Sequence, residues 1–381
     1  MLFGWDWDMA KDVMKKFLIL AFFSAISCTK EMPRGSGEGA GHFSIIHGSG
    51  YKILSIREAW NGDAENHRWL LLDSSETEIP DSLKTLPVIH IPVKNAVVLS
   101  TVAIAFMERL NLLDKIVAVE NRNFIYSEKM QLLIDSLSIK QAGSGNSLDL
   151  ETLLILRPAL VLTFGTGSTI YDDYPRLKNA GLPAVLTAEW MENHPLARLE
   201  WLKVFGVLFG KEREADSIFK ETADKYNSLL DIALRSAAKP TVLTGYPQGS
   251  EWQAGGGNSY FAKFLRDAGA KYIWESNAQT GILTLNIESA LSNGMEAEFW
   301  LHPSLWTSRE EIMQNEPRVS MLPTWQSGKI YQNSLRTGKN GSRDFYESAA
   351  AHPDLVLADL IFMFHPDILP EHEFVYYELV K

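Results

Sequence analysis

From Glu192 to about Ala237 the chain carries no strand signal, whereas on both sides of it short apolar runs alternate with helix-like segments. This interruption constrains the fold more than any single motif. In its second half Ala215, Ile218, Phe219, Tyr226, Leu229, Leu230, Ala233 and Leu234 recur at helical spacing and mark one apolar face. Pro195 suits a first helical turn, and Gly206 and Gly210 are points where the segment bends or divides. A helix from Lys211 to Ala237 extends about 40 Å at ~1.5 Å per residue, enough to pass from one lobe to another. A helical hairpin inside one domain is the alternative.

Before the interruption, YKILSI (51–56), RWLLLD (68–73) and PVIHIPV (87–93) read as strands between turn-prone stretches. Strand and helix then alternate: Val97–Leu99, Thr101–Leu110, Ile116–Val119, Leu148–Leu156, Ala159–Phe164, Tyr174–Ala180 and Ala184–Thr187. After Pro240 the alternation resumes with TVLTG (241–245), a helix over Asn258–Ala268, strands near Glu298–Leu301 and KIYQN (329–333), and a helix around Leu355–Phe364. Such alternation predicts α/β lobes with largely parallel sheets. The plan is an N-terminal α/β lobe over 51–190, a linking helix segment over 191–238, a C-terminal α/β lobe over 239–381, and a ligand cleft between the lobes.

The N-terminus has another character. Met14-Lys15-Lys16 precedes the apolar run Phe17–Ile26, and small residues Ala25 and Ser27 lead to Cys28, the one cysteine of the chain. Basic start, short apolar core and small-residue cleavage site are the layout of a secretion signal. The run, about ten residues, is too short to cross a bilayer core of roughly 30 Å. With cysteine at the cut, residues 1–28 resemble a lipoprotein signal in which the thiol is lipidated, although Ala25 stands where such signals usually carry leucine. An ordinary secretion signal with an incidental cysteine is the alternative. Three aspartates precede the basic residues, which points to Met14 as the start of translation. Residues 29–50, rich in glycine and polar residues, read as a flexible tether.

A net charge of −11 with no basic patch argues against nucleic acid. Charged residues at 22 % and hydrophobic residues at 46 % are ordinary for a globular body. Without a second cysteine, that body relies on core burial for stability.

Two helix starts repeat. LDLETLL (148–154) and LNIESAL (285–291) share one pattern, with Asp149 and Asn286 as N-caps and Glu151 and Glu288 in the first turn, where a carboxylate meets the positive end of the helix dipole. Capping alone explains each glutamate singly. The repetition, once per lobe, suggests matched anchor points for a partner with basic residues.

Together with VVLST (97–101), SLDLETLLILRPALVLTF (147–164), HPLARLEWLKVFGVLFGKEREA (194–215), GGGNSYFAKFLRDAGAKY (256–272) and HPDLVLADLIFMFHPDILP (352–370), these starts give the chain, from roughly residue 95 to its end, a resemblance to the substrate-binding proteins of bacterial ABC importers for ferric siderophores, haem and cobalamin. The resemblance implies two α/β lobes joined by a long helix with ligand between them, and a glutamate on each lobe, here Glu151 and Glu288, that docks on arginines of the membrane permease. Segment 51–93 lies outside the best-matching region and reads as an embellishment of the first lobe.

Ligands of open α/β sheets sit beyond the carboxyl ends of strands. That rule nominates Ser100 and Thr101, Asn121 and Arg122, Phe164–Thr166, Tyr246–Trp252 and His302–Trp306, with Arg336, Lys339, Arg343 and Asp344 near the last strand. Trp252, Tyr260 and Trp306 are candidates to stack on a ligand face, with core or rim packing as the alternative. Arg122, Arg336 and Arg343 are candidates for ligand oxyanions, with a solvated surface as the alternative. GGGN (255–258) reads as a tight turn with Asn258 capping the next helix. Nine histidines are dispersed without His-x-His or His-x₃-His spacing, which disfavours capture of a bare metal ion. EWMENH (189–194) reads as a helix start rather than a catalytic cluster, and neither a G-x-S-x-G elbow nor an H-E-x-x-H motif is present.

The expected protein is therefore no enzyme and carries no cofactor of its own. It is a monomer that captures a chelated iron complex of the ferric siderophore type and delivers it to an ABC permease with its cytoplasmic ATPase, exported and moored to a bacterial membrane through Cys28. A corrinoid such as cobalamin is the alternative ligand. A secreted metal-ion-binding protein or an adhesin is the alternative of another class.

Overall fold

The computed structural model describes residues 41–73, 79–144, 147–168 and 172–381. The signal, Cys28 and the first part of the tether lie outside the described residues. The second part of the tether corrects the expectation: β1 (Phe43–His47) pairs antiparallel with β2 (Tyr51–Arg57). Flanking glycines Gly41, Gly48 and Gly50 hid a short strand whose Phe43 ring meets Trp201 edge-on at 5.0 Å. With β3 (Asn66–Asp73) and β4 (Val88–Ile91) it forms a four-stranded sheet in the order β1-β2-β3-β4.

The first lobe follows as β5 (Ala96–Val98), α1 (Thr101–Arg109), β6 (Ile116–Val119), α2 (Glu128–Leu137), β7 (Lys140–Gln141), a ribbon of β8 (Gly143–Ser144) and β9 (Ser147–Leu148), α3 (Leu150–Leu156), β10 (Leu160–Phe164), α4 (Tyr174–Asn179) and β11 (Ala184–Thr187). The five strands β11-β10-β5-β6-β7 lie side by side and all pairs are parallel. Their buried residues, such as Val97, Val98, Leu160, Val161, Leu162 and Val185, are apolar on both faces because helices cover both. The chain runs from β5 outward to β7 and then returns to β10 on the other side of β5. The order therefore reverses between β5 and β10, the place where an open α/β sheet leaves a crevice.

Three helices link the lobes where the sequence predicts helix: α5 (Pro195–Glu200), α6 (Leu202–Phe209) and α7 (Glu212–Ala233). His194 caps α5 by accepting from Leu196 N, and Pro195 occupies the first turn. Gly210 ends α6 at φ +70. Gly206 permits α6 and α7 to touch, since a Cβ there would lie 2.8 Å from that of Ala215. Crossing and hairpin both occur, because α7 folds back on α6 and also packs against α13 (Pro353–Phe364).

The second lobe contains β12 (Thr241–Thr244), β13 (Tyr246–Gln248), β14 (Glu251–Gly255), α8 (Tyr260–Asp267), β15 (Lys271–Tyr272), β16 (Ile282–Asn286), α9 (Ile287–Gly294), β17 (Phe299–Leu301), α10 (Arg309–Asn315), α11 (Pro323–Ser327), β18 (Ile330–Gln332), α12 (Phe345–Ser348), then α13 and β19 (Glu378–Leu379). The main sheet runs β15-β12-β17-β18-β19, parallel except for β19. Here the order reverses between β12 and β17, the counterpart of the first-lobe crevice. That counterpart is plugged. The antiparallel sheet β13-β14-β16 folds Trp252 inward, where its indole donates to Thr244 O and lies 5.6 Å from Trp300, whose indole donates to Gly245 O. Trp252 is thus a fully buried core residue, which corrects its nomination as a ligand contact. The glycine loop is corrected too: Ser259, not Asn258, caps α8 by accepting from Ala262 N, and Asn258 donates to Ala278 O.

Candidate functional site

The repeated helix starts occupy matching places. α3 leads into β10 and α9 into β17, the strands that pair with β5 and β12, the first strand of each main sheet. Asp149 accepts from Thr152 N, and Asn286 from the N–H groups of Glu288 and Ser289. Glu151 and Glu288 are both exposed. They differ in one respect. Glu288 pairs with Arg318 at 3.1 Å, whereas Glu151 forms no ion pair among the described residues.

At the open reversal between β5 and β10 lies a depression of about 330 Å³ lined by Ser100, Val102, Phe164, Thr166, Glu189, Trp190 and Arg198. Phe164 and Trp190 are both more than one-third exposed, at 38 % and 37 %. Val102 and Arg198 also line a smaller hollow against the second lobe, where Tyr260, Phe345 and Tyr346 face them. Ser100 stands at the start of α1, and Thr101 Oγ1 donates to Tyr346 O at 3.4 Å, so both nominated residues sit where the lobes meet.

The loop after β10 is held by the N-terminal sheet. Trp60 packs against Gly165 and Gly167, and Cβ atoms there would come within 2.3 and 2.8 Å of its ring. Gly167 also has φ +81, a conformation that glycine adopts without strain. The embellishment thus supports the loop that carries Phe164 and Thr166 into the crevice.

Arg198 and Glu189 set the polarity of the depression. The Arg198 guanidinium lies 4.3 Å from the centre of the Tyr260 ring. Its buried Nε has no hydrogen-bond partner, and neither has the buried Glu189 Oε2. An unmade bond at a buried donor costs ~1–3 kcal/mol. Burial raises the pKa of Glu189, and the nearby Arg198 charge opposes that rise.

On the far side of the contact between α1 and α12 is a second depression, about 690 Å³, lined by residues of both lobes that include Glu108, Arg109, Tyr126, Arg336, Asp344, Glu347 and His352. Here the lobes are clasped. Glu347 of the second lobe accepts from Tyr126 N at 2.6 Å and Ser127 N at 3.0 Å of the first, and Ser342 Oγ donates to Ile125 O. Burial, against the pull of these two N–H groups, pushes the Glu347 carboxyl up to about 7. The folded protein therefore holds a proton that the unfolded chain, with its ordinary value of 4.5, has released. This contribution to stability is complete below about pH 4.5 and is lost as pH rises through about 7, by up to about 3 kcal/mol. In Glu347→Gln the melting temperature should fall less over that interval than in the unsubstituted protein, and parallel melting curves would contradict the assignment.

The other nominated residues fall outside the open depression. Arg122 pairs with Asp135 at 3.0 Å. Arg336, in the second depression, pairs with Asp344 at 3.0 Å. Arg343 donates to Leu305 O and Asn333 Oδ1, and Trp306 is half-buried against the core. Arg122, Arg343 and Trp306 do not line the three depressions described above, and each makes these contacts within its own lobe. Arg198, Glu189 and Trp190 were not nominated, although Glu189 and Trp190 follow the carboxyl end of β11 and the strand-end rule covers them. Among the described residues no three His, Cys, Asp or Glu side chains group as metal ligands.

Two α/β lobes, parallel sheets and a crevice at their meeting define the class of a bilobal binding protein. Residues 97–334 match the periplasmic binding protein family, and the chain belongs to it. The N-terminal sheet lies outside that match. A curated relative, "Uncharacterized lipoprotein MJ0878" of Methanocaldococcus jannaschii, is 24 % identical over 323 residues, covering 80 % of this chain and 74 % of its own. The fold is shared with the periplasmic heme-binding protein RhuT of Roseiflexus sp. RS-1, with a TM-score of 0.55 and 17 % identity over 72 % of this chain and 99 % of that one. It is also shared with a protein of the ABC-type Fe3+-hydroxamate transport system of Saccharomonospora viridis, with a TM-score of 0.55 and 14 % identity over 72 % and 94 %.

Proposed function

We propose that this protein is the ligand-capturing component of an ABC importer, which binds a chelated iron complex in the crevice between its lobes and presents it to the permease. The observation that carries the reading is the open reversal point between β5 and β10, with its exposed aromatics, set against a second lobe whose own reversal point is filled by Trp252. Membership of the periplasmic binding protein family supports it, as do structural neighbours named for heme and for Fe3+-hydroxamate. In this reading the metal arrives already chelated, in keeping with the lack, among the described residues, of any group of three His, Cys, Asp or Glu side chains placed as metal ligands. Glu151 and Glu288 meet basic residues of the transmembrane subunits, behind which the cytoplasmic ATPase works. Exposed ion pairs are worth about 0–1 kcal/mol each, so they orient a carrier that must also leave. The lipoprotein relative supports export and a lipid anchor at Cys28.

Trp190 gives the test. In a fluorescence titration of the full-length protein in detergent with ferric siderophores, haem and corrinoids, an iron complex should quench saturably. Tight binding of bare zinc or manganese with no response to any complex would overturn the ligand class.

A further inference from the structure

We infer that Trp60, in the connection between β2 and β3, is a positioning residue of the ligand site: it fixes the loop after β10 in the place that brings Phe164 and Thr166 to the ligand. This rests on the proposed capture of a metal complex at the open reversal point. It gives the N-terminal sheet, which lies outside the family match, a part in that capture.

One carboxylate closes the loop on itself. Asp172 accepts from Thr166 N at 2.7 Å, from Thr166 Oγ1 at 2.8 Å and from Gly167 N at 2.9 Å. That closure sets the shape of the loop, and the N-terminal sheet sets its place by meeting it at both ends. At the start, the three heavy atoms nearest a Cβ on Gly165 all belong to the Trp60 ring, and the same holds for Gly167. At the finish, Tyr174, the first residue of α4, lies edge-on to His67 at 5.7 Å and to Trp69 at 6.2 Å. Trp60 is itself held. Its carbonyl accepts from Asp63 N, and the buried Asp63 carboxylate accepts from Ala59 N, Glu65 N and His67. The His67 ring in turn lies 5.5 Å from that of Trp60.

A loop held before the ligand arrives spares the cost of ordering it on binding. Removing the Trp60 ring therefore lowers affinity by loosening the loop, since Trp60 itself lines none of the three depressions. Gly165 supplies the converse change. Its backbone lies outside the left-handed region, so alanine there is opposed by the Trp60 ring and not by φ. Loss of the ring makes room for that methyl group. The two substitutions act on one contact and their effects should not add, a relation that two separate losses of stability would not produce.

The experiment is isothermal titration calorimetry of the full-length protein in detergent with three probes: haemin, a ferric tris-catecholate and a ferric tris-hydroxamate. For each probe that the unsubstituted protein binds, Trp60→Ala and Gly165→Ala should each weaken binding about tenfold, and the double variant about tenfold as well rather than about a hundredfold. Trp60→Phe should fall between Trp60→Ala and the unsubstituted protein. Phe43→Ala, which loosens the same sheet at Trp201, should stay within about twofold. Without ligand, amide exchange at Thr166 and Gly167 should quicken in Trp60→Ala. Unchanged affinity in both single variants, additive losses in the double variant, an equal loss in Phe43→Ala, or unchanged exchange overturns the inference alone. Binding of no probe by the unsubstituted protein overturns the ligand class and the inference with it. If Trp60→Ala does not fold, unchanged affinities in Trp60→Phe and Gly165→Ala overturn the inference.

Discussion

Replacing Glu151 and Glu288 together with alanine should abolish uptake of the iron complex by cells while the purified protein binds it as before. Both side chains stand in first helical turns, are exposed and lie away from the residues that line the crevice. If the proposed docking role holds, their loss removes partners for permease arginines without disturbing ligand contacts. The single variants should not be equivalent. Glu288 already shares Arg318, itself bound to Glu316 at 2.6 Å, so its charge is partly answered within the chain. Glu151 has no such partner among the described residues, and Glu151→Ala should be the more damaging. Transport assays set beside equilibrium titrations check this, and a loss of ligand affinity in the double variant would move the glutamates into the ligand site.

Trp201→Ala should cost about 3–5 kcal/mol of stability, as large-to-small changes at buried aromatics do. Trp201 is fully buried between α5 and α6 and joins the N-terminal sheet to the linking segment. Its indole donates to Glu192 at 2.9 Å, and the same carboxylate accepts from Gly41 N and His42 N at the entrance to β1. Removing the indole opens a cavity beside Phe43 and takes one donor from a buried carboxylate. Denaturant unfolding measures the cost. Trp190→Ala, at a surface exposed by 37 %, should change stability far less, and equal losses in the two variants would contradict this account of the joint.

Most of the first-lobe and linking elements were legible because their local signals agree. Apolar triplets such as Val97–Leu99 suit buried parallel strands, His194-Pro195 opens a helix, and Asp149 and Asn286 cap theirs as their side-chain chemistry predicts. The ligand site was less legible because it depends on what other elements do. Trp252 follows a strand end and met the rule for a ligand contact, but the chain turns into β14 and folds it onto Trp300. Arg122, Arg336 and Arg343 have the charge that an anion needs, yet acids and carbonyls brought to them by the fold of their own lobes claim them. Arg198 sits inside an apolar helix of the linking segment, where spacing marks it only as the polar position of a buried helix. Nothing local shows that its Nε is left without an acceptor. The strand Phe43–His47 was obscured by the glycines that bound it.

The central claim is that ligand lies between the lobes at the one reversal point left open. Diffraction at the iron edge, from crystals grown with the ferric complex that binds most tightly, tests it directly. Anomalous iron density between Phe164 and Trp190 on one side and Tyr260 and Tyr346 on the other is the predicted result. Iron bound instead beside the N-terminal sheet, or at the outer surface of either lobe, would contradict it.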